Sequence, residues 1–229
     1  MPFVKRFKQI QKKTKPKMLV HIGRRVFVFS MIVFAAVMAY QIFLHNADIA
    51  FARVLNRSTA DTAMILIGLS FALSGICYFW DFADTKIMYR KDLGLWGFYF
   101  GVAHLAISLI RTPLSRYLAD DRIASFSLGV VGIVIFAIMA SVSNRYAVRE
   151  LGGLWWRRVL RTGYIAYAAA IAHFILKNTD RWMGWMTSHD PARALFPPFS
   201  LITVLFATSI IVLRLALWSR TSSAKSKRK

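Results

Sequence analysis

The chain has 229 residues, 57% of them hydrophobic, and sets 31 Lys and Arg against only 10 Asp and Glu for a formal net charge of +21. Apolar runs near the ~20 residues that a helix needs to cross a bilayer exclude an ordinary soluble domain of this size. The positive charge gathers at the ends of those runs, as in the flanks of a membrane protein that touches anionic lipid, which argues against a nucleic-acid partner.

Residues 1–25 form a basic segment with 9 Lys and Arg, and the first apolar run, 26–44, follows it. Ala50-Phe51-Ala52 resembles a signal-peptide cleavage site. The run before it exceeds the roughly 7 to 15 residues of a signal h-region, which favours a retained helix. Further spans are expected at 62–80, 94–112, 125–143, 159–176 and 199–218, with a basic tail at 219–229. The expected fold is therefore an all-α integral membrane protein, one six-transmembrane-helix bundle over 26–218. Cys77 is the single cysteine, so neither an intrachain disulfide nor a cysteine-based metal site is available.

With both termini inside, the tails and the loops at 81–93 and 144–161 hold 22 Lys and Arg, whereas the three opposite loops hold 8. That bias predicts both termini in the cytoplasm. Trp80, Trp96, Trp155, Trp156 and Trp218 then fall at the inner interface, and Trp182 and Trp185 at the outer one. The outer segment from Asn178 to Phe199 is long for a helix connection and reads as a loop that lies on the membrane surface or receives a partner. His45 and His189 read as interfacial or solvated.

Two of the spans share a pattern. Gly94, Gly97, Gly101 and His104 recur as Gly163, Ala166, Ala170 and His173, with three small residues ten, seven and three positions before a histidine. A helix of 3.6 residues per turn puts each set on one face. The third and fifth spans run in the same direction, and each histidine lies roughly 20 Å above its own cytoplasmic basic cluster at 1.5 Å per residue. Two such faces turned toward each other would admit a flat macrocycle and supply both axial nitrogens to its iron. Small-residue stripes also serve plain helix packing in membranes, and the two readings stand side by side. Arg111, two turns beyond His104, is a candidate partner for a haem propionate or an interfacial anchor, and Lys177 is a second candidate for the first role. Arg90 and Lys91 are candidate contacts to a quinone headgroup or a docking flavoprotein, and equally topogenic charges.

These residues also resemble a known family. Arg90-Lys91-Asp92-Leu93-Gly94-Leu95, with Phe98 and His104, resembles the RRxLGLxxFxYxxLH segment of the ferric reductase-like transmembrane domain. Leu151-Gly152, Trp156, Arg157, Arg161, Tyr164 and His173-Phe174 resemble that domain's LGxxWxxLHRLxYxxxxxxxxHF segment. Within it the likeness is nearest to the MsrQ-like haem-binding membrane subunits of periplasmic methionine-sulfoxide reductase systems, and it covers residues 62–176.

That resemblance implies a b-type haem with His104 and His173 as its metal-binding axial pair, and the two stripes and the helical spacing add Gly97, Gly101, Ala166, Ala170 and Arg111 as candidate contacts around it. It implies a bacterial inner-membrane location and a periplasmic reductase or ferric iron as acceptor. Thirteen residues before His173, where many members carry another haem histidine, stands Leu160, and the matching height on the third span is Arg90. Neither is an iron ligand, so one haem is expected. One outer haem does not bridge ~30 Å of hydrocarbon alone. A second carrier is therefore implied, membrane quinol or an FMN- or FAD-bearing cytoplasmic flavoprotein. No catalytic triad, carboxylate dyad, zinc motif or dinucleotide fingerprint is present, which suits an electron-transfer component of an oxidoreductase rather than a complete enzyme. The rival class is a haem-free scaffold or transport protein that keeps the fold.

Overall fold

The computed structural model describes residues 16–45, 50–79, 86–188 and 196–226. They form seven α-helices: α1 Pro16–His45, α2 Phe51–Phe79, α3 Arg90–Arg111, α4 Leu114–Tyr117, α5 Ile123–Ser141, α6 Arg145–Met186 and α7 Phe199–Ser226. Cleavage after Ala50-Phe51-Ala52 would fall within the first turn of α2. The side chains of Cys77, Trp80, His45 and His189 lie outside the described residues.

Five helices hold a stretch long and apolar enough to cross a membrane: Val20–Phe43, Lys86–Arg111, Ile123–Ser141, Leu154–Met186 and Phe199–Ala216. Apolar side chains also cover their outward faces, as Phe43, Ile110, Ile165 and Leu205 show at 64 to 84% exposure. Residues that are apolar toward the neighbours and apolar toward the outside alike belong in lipid rather than water. The chain is an integral membrane protein.

The span expected at 62–80 belongs to α2, whose first third carries Arg53, Arg57 and Asp61 and which is not among those five. It is instead the centre of the bundle. One side of it packs Ala63 and Leu66 against Ile22 and Val26 of α1 and Leu93 and Phe100 of α3. Its other side packs Ala60, Met64, Ile67 and Phe71 against α5, α6 and α7 through Phe136, Ala166, Tyr167, Val204 and Ala207. Polar groups on so buried a helix need partners. Tyr167 donates to the carbonyl of Met64 at 3.0 Å, Ser70 to that of Arg90 at 2.7 Å, and Gln41 Nε2 to Asp61 Oδ2 at 2.8 Å.

The fifth span and the loop after it differ from expectation. Asn144 caps α6, its side chain accepting from the backbone N–H of Ala147 at 2.7 Å. Gly152 then breaks the helix with φ +68° and ψ 154°, a conformation open to glycine and strained for any other residue. Past the break the helix runs on to Met186, through the first part of the segment expected as a loop. Trp182 does not lie on a membrane surface. It is buried and donates from Nε1 to Ser200 Oγ at 3.0 Å, tying the end of α6 to the start of α7.

Candidate functional site

α3 and α6 face each other across a cavity of about 780 Å³ that is also walled by α2 and α5. His104 and His173 enter it from opposite sides, with ring centroids 6.4 Å apart and ring planes at 68°. Each ring is held by a backbone oxygen of a different neighbouring helix. His104 Nδ1–H donates to the carbonyl of Asn56 on α2 at 2.9 Å. His173 Nδ1–H donates to the carbonyl of Ser125 on α5 at 2.7 Å, with Ser125 Oγ at 3.2 Å from the same nitrogen.

A carbonyl only accepts, so Nδ1 carries a hydrogen in both rings, and in the neutral form Nε2 is the nitrogen with the free lone pair. Metal-bound histidines characteristically fix their tautomer in this way, through a bond from the second nitrogen. One turn beyond His104, Asn56 and Ser108 close a reciprocal pair at 2.9 and 3.2 Å that clips α2 to α3 beside the ring. The two imidazoles are therefore oriented and close. Among the described residues no three His, Cys, Asp or Glu side chains come together as a metal site. The pair suits a metal that brings its equatorial ligands with it.

The two small-residue stripes divide along their length. Gly101, His104, Ala170 and His173 line the cavity, as do Arg111 and Lys177 at its polar end. Gly97 and Ala166 do not line it. A Cβ on Gly97 would come within 2.6 Å of Ile67 Cγ1 and 2.9 Å of Ile67 N, so this glycine lets α3 close onto the backbone of α2. Ala166 is fully buried, and its carbonyl lies 3.4 Å from where a Cβ on Gly132 of α5 would stand. Gly94 meets Ser70 and Gly163 meets Met139 and Phe71 in the same fashion.

Residues that the sequence reading did not single out complete the site. Gly129 on α5 packs against His173, since a Cβ there would lie 3.0 Å from Nδ1 and 3.2 Å from Cε1 of the ring. Ser125, Gly129, Gly132 and Phe136 all line the cavity, and their spacing of four, three and four was the available signal. The floor is apolar, with Met64, Ile67, Ile133 and Phe136, while the opposite end carries Arg53, Arg57, Arg111, Arg122, Lys177 and Arg181 against Asp61, Asp121 and Asp180. Of these only Arg122 and Asp121 form an ion pair among the described residues, at 3.2 Å. The cavity thus offers two nitrogen donors over an apolar floor and a mouth of excess positive charge.

No protein-family profile matches the chain. Curated proteins do align with part of it. The chain is similar to MsrQ subunits. It is 33% identical over 99 residues to the protein-methionine-sulfoxide reductase heme-binding subunit MsrQ of Agrobacterium fabrum, which is 42% of this chain and 46% of that protein. It is 28% identical over 96 residues to the subunit of the same name from Brucella ovis, 40% and 43% of the two chains. To that of Brucella anthropi it is 29% identical over 94 residues, 39% and 42%. The chain spans less than half the length of these curated relatives.

Proposed function

We propose that this protein is an MsrQ-like electron-transfer subunit of the bacterial inner membrane that holds one b-type haem between His104 and His173. The observation that carries the reading is the pair of imidazoles 6.4 Å apart with both Nδ1 atoms tied back to main-chain carbonyls. A metal-bound imidazole nitrogen lies about 2 Å from its metal, and the ring centroid just over 1 Å farther, so two rings in trans stand on the order of 6 Å apart. The donor set and the spacing both fit, and the names of the similar proteins point the same way.

The chain's own groups divide the work. His104 and His173 would hold the group, and the Asn56 and Ser125 carbonyls orient each ring so that its Nε2 is free to ligate. Gly101, Gly129, Gly132 and Ala170 keep the walls close enough for a planar macrocycle while Met64, Ile67, Ile133 and Phe136 exclude water from one edge. Arg111 and Lys177, at the polar end, would pair with the group's carboxylates. The bound group supplies a one-electron couple whose potential follows its ligands and burial.

In this reading α2 is the sixth span, both termini are cytoplasmic, residues 1–25 and 219–229 are basic flanks, and 26–218 form the haem-bearing domain. The cavity then opens outward. Electrons come from membrane quinol or a cytoplasmic flavin donor, and pass to a periplasmic reductase as acceptor. Reduced-minus-oxidised absorbance of the purified protein, with haem counted against protein, tests the proposal. A low-spin b-type spectrum at about one haem per chain is expected. An absent Soret band after expression with haem precursor would return the chain to the haem-free scaffold class, and two haems would mean that a ligand pair besides His104 and His173 exists.

A further inference from the structure

On the α2 wall of the same cavity stands a buried carboxylate, Asp61, at 2% exposure. Gln41 of α1 donates to its Oδ2 at 2.8 Å, but Oδ1 has no hydrogen-bond partner. Gln41 Oε1 and, on the same helix as Asp61, the Ser58 and Thr62 hydroxyls are also buried without a partner. A buried carboxylate oxygen without a partner is costly in isolation, and Asp61 lies on the cavity wall. A carboxylate oxygen only accepts, so Oδ1 calls for a donor. Water supplies donors in a polar cavity, and so does a proton on the carboxyl itself.

We propose that Asp61 is the proton-loading site of the cavity, taking up one proton when one electron enters and releasing it when the electron leaves. This inference rests on the haem reading above. The balance is simple. With the group bound, a one-electron reductant would add one negative charge to the site, and the Asp61 carboxylate would become a carboxylic acid by binding a proton that enters from water at the polar mouth. No bond to the metal forms or breaks. The site's net charge is then the same before and after, which matters where few mobile charges are at hand to compensate.

The charges that face Asp61 make it responsive. The Thr203 hydroxyl of α7, Arg181 from α6, Arg57 on its own helix and Gln41 favour the anion, without closing an ion pair. Burial and the orphaned Oδ1 favour the acid. From α1 it meets Gln41 and from α7 Thr203, neither of which titrates. Across the cavity α3 contributes Arg111, which acts on Arg57, while α5 reaches the rim with Arg122 already paired to Asp121. Opposing influences of this kind leave the carboxyl sensitive to one added negative charge.

Redox potentiometry of the haem-loaded protein at a series of pH values tests this, read beside reduced-minus-oxidised infrared difference spectra. Wild type should show a midpoint that falls across part of the neutral range by up to tenfold in equilibrium constant per pH unit, about 59 mV for one electron. Its reduced form should gain a protonated-carboxyl band that shifts in heavy water. Asp61→Asn should flatten the slope and remove the band, and Asp61→Glu should restore both. A flat wild-type midpoint, or an Asp61→Asn protein that keeps slope and band, would overturn the proposal. A wild-type chain without a Soret band would overturn the haem reading itself and this one with it.

Discussion

The closest approach in the site gives the sharpest test. Gly129→Ala places a methyl 3.0 Å from His173 Nδ1 and 3.2 Å from Cε1, inside ordinary van der Waals contact by a few tenths of an ångström. The ring is the softer partner, since the α5 backbone is locked in its helix. It cannot retreat freely, because its Nδ1–H is committed to the Ser125 carbonyl at 2.7 Å. Overpacking of this kind costs about 1 to 3 kcal/mol. Loss of the outer bond to a ligating histidine lowers metal affinity roughly 10- to 100-fold, which at ~1.4 kcal/mol per decade is the same range. Gly129→Ala should therefore weaken haem binding by about tenfold, and Gly129→Val should abolish it. The assay is titration of haem into the apoprotein in lipid nanodiscs, followed at the Soret band. Gly184→Ala is the control, because nothing lies within 4 Å of a Cβ at that position. Wild-type affinity in Gly129→Val would refute the placement of His173 against α5.

Four further outcomes are expected. His104→Ala and His173→Ala should each lose the low-spin spectrum, whereas Leu160→Ala should retain it, as absorbance of the purified variants will report. Gly97→Val should lower the yield and thermal stability of folded protein with or without haem, because its Cβ meets the backbone of Ile67 rather than the cavity. Gly152→Ala should cost about 1 to 3 kcal/mol through its positive φ, read in chemical denaturation, while the haem midpoint stays put. Arg111→Gln should lower the midpoint potential by removing a cation from the mouth, and an unchanged midpoint would leave Arg111 as an interfacial anchor.

The helices were legible because lipid-exposed and packed faces are both apolar, which leaves runs that no loop can imitate. The two histidines stood out for the same reason, as ionisable groups placed within those runs. Which small residues accompany them into the cavity was harder to see. The Gly94 to His104 stripe is a single helical face, yet α2 closes on its lower part at Ile67 and leaves its upper part open, so one sequence pattern meets two environments. Only the path of a third helix decides where that change falls. The continuation of α6 into the expected loop was masked by polar residues such as Asn178, Asp180 and Arg181, which sit comfortably on a helix end outside the hydrocarbon. Asp61 was overlooked because it falls just before the apolar window, where a carboxylate reads as a boundary rather than as the inhabitant of a packed interior.

The imidazoles hang from main-chain oxygens, those of Asn56 and Ser125, and every residue type carries one. Point substitution at either position leaves the acceptor in place, so the orientation of both rings is inherited with the helix path rather than with any letter of the sequence. Such an arrangement tolerates drift around the site so long as α2 and α5 keep their register. It is vulnerable to insertions and deletions, which shift a carbonyl by a full residue and turn it away from the ring it steadies.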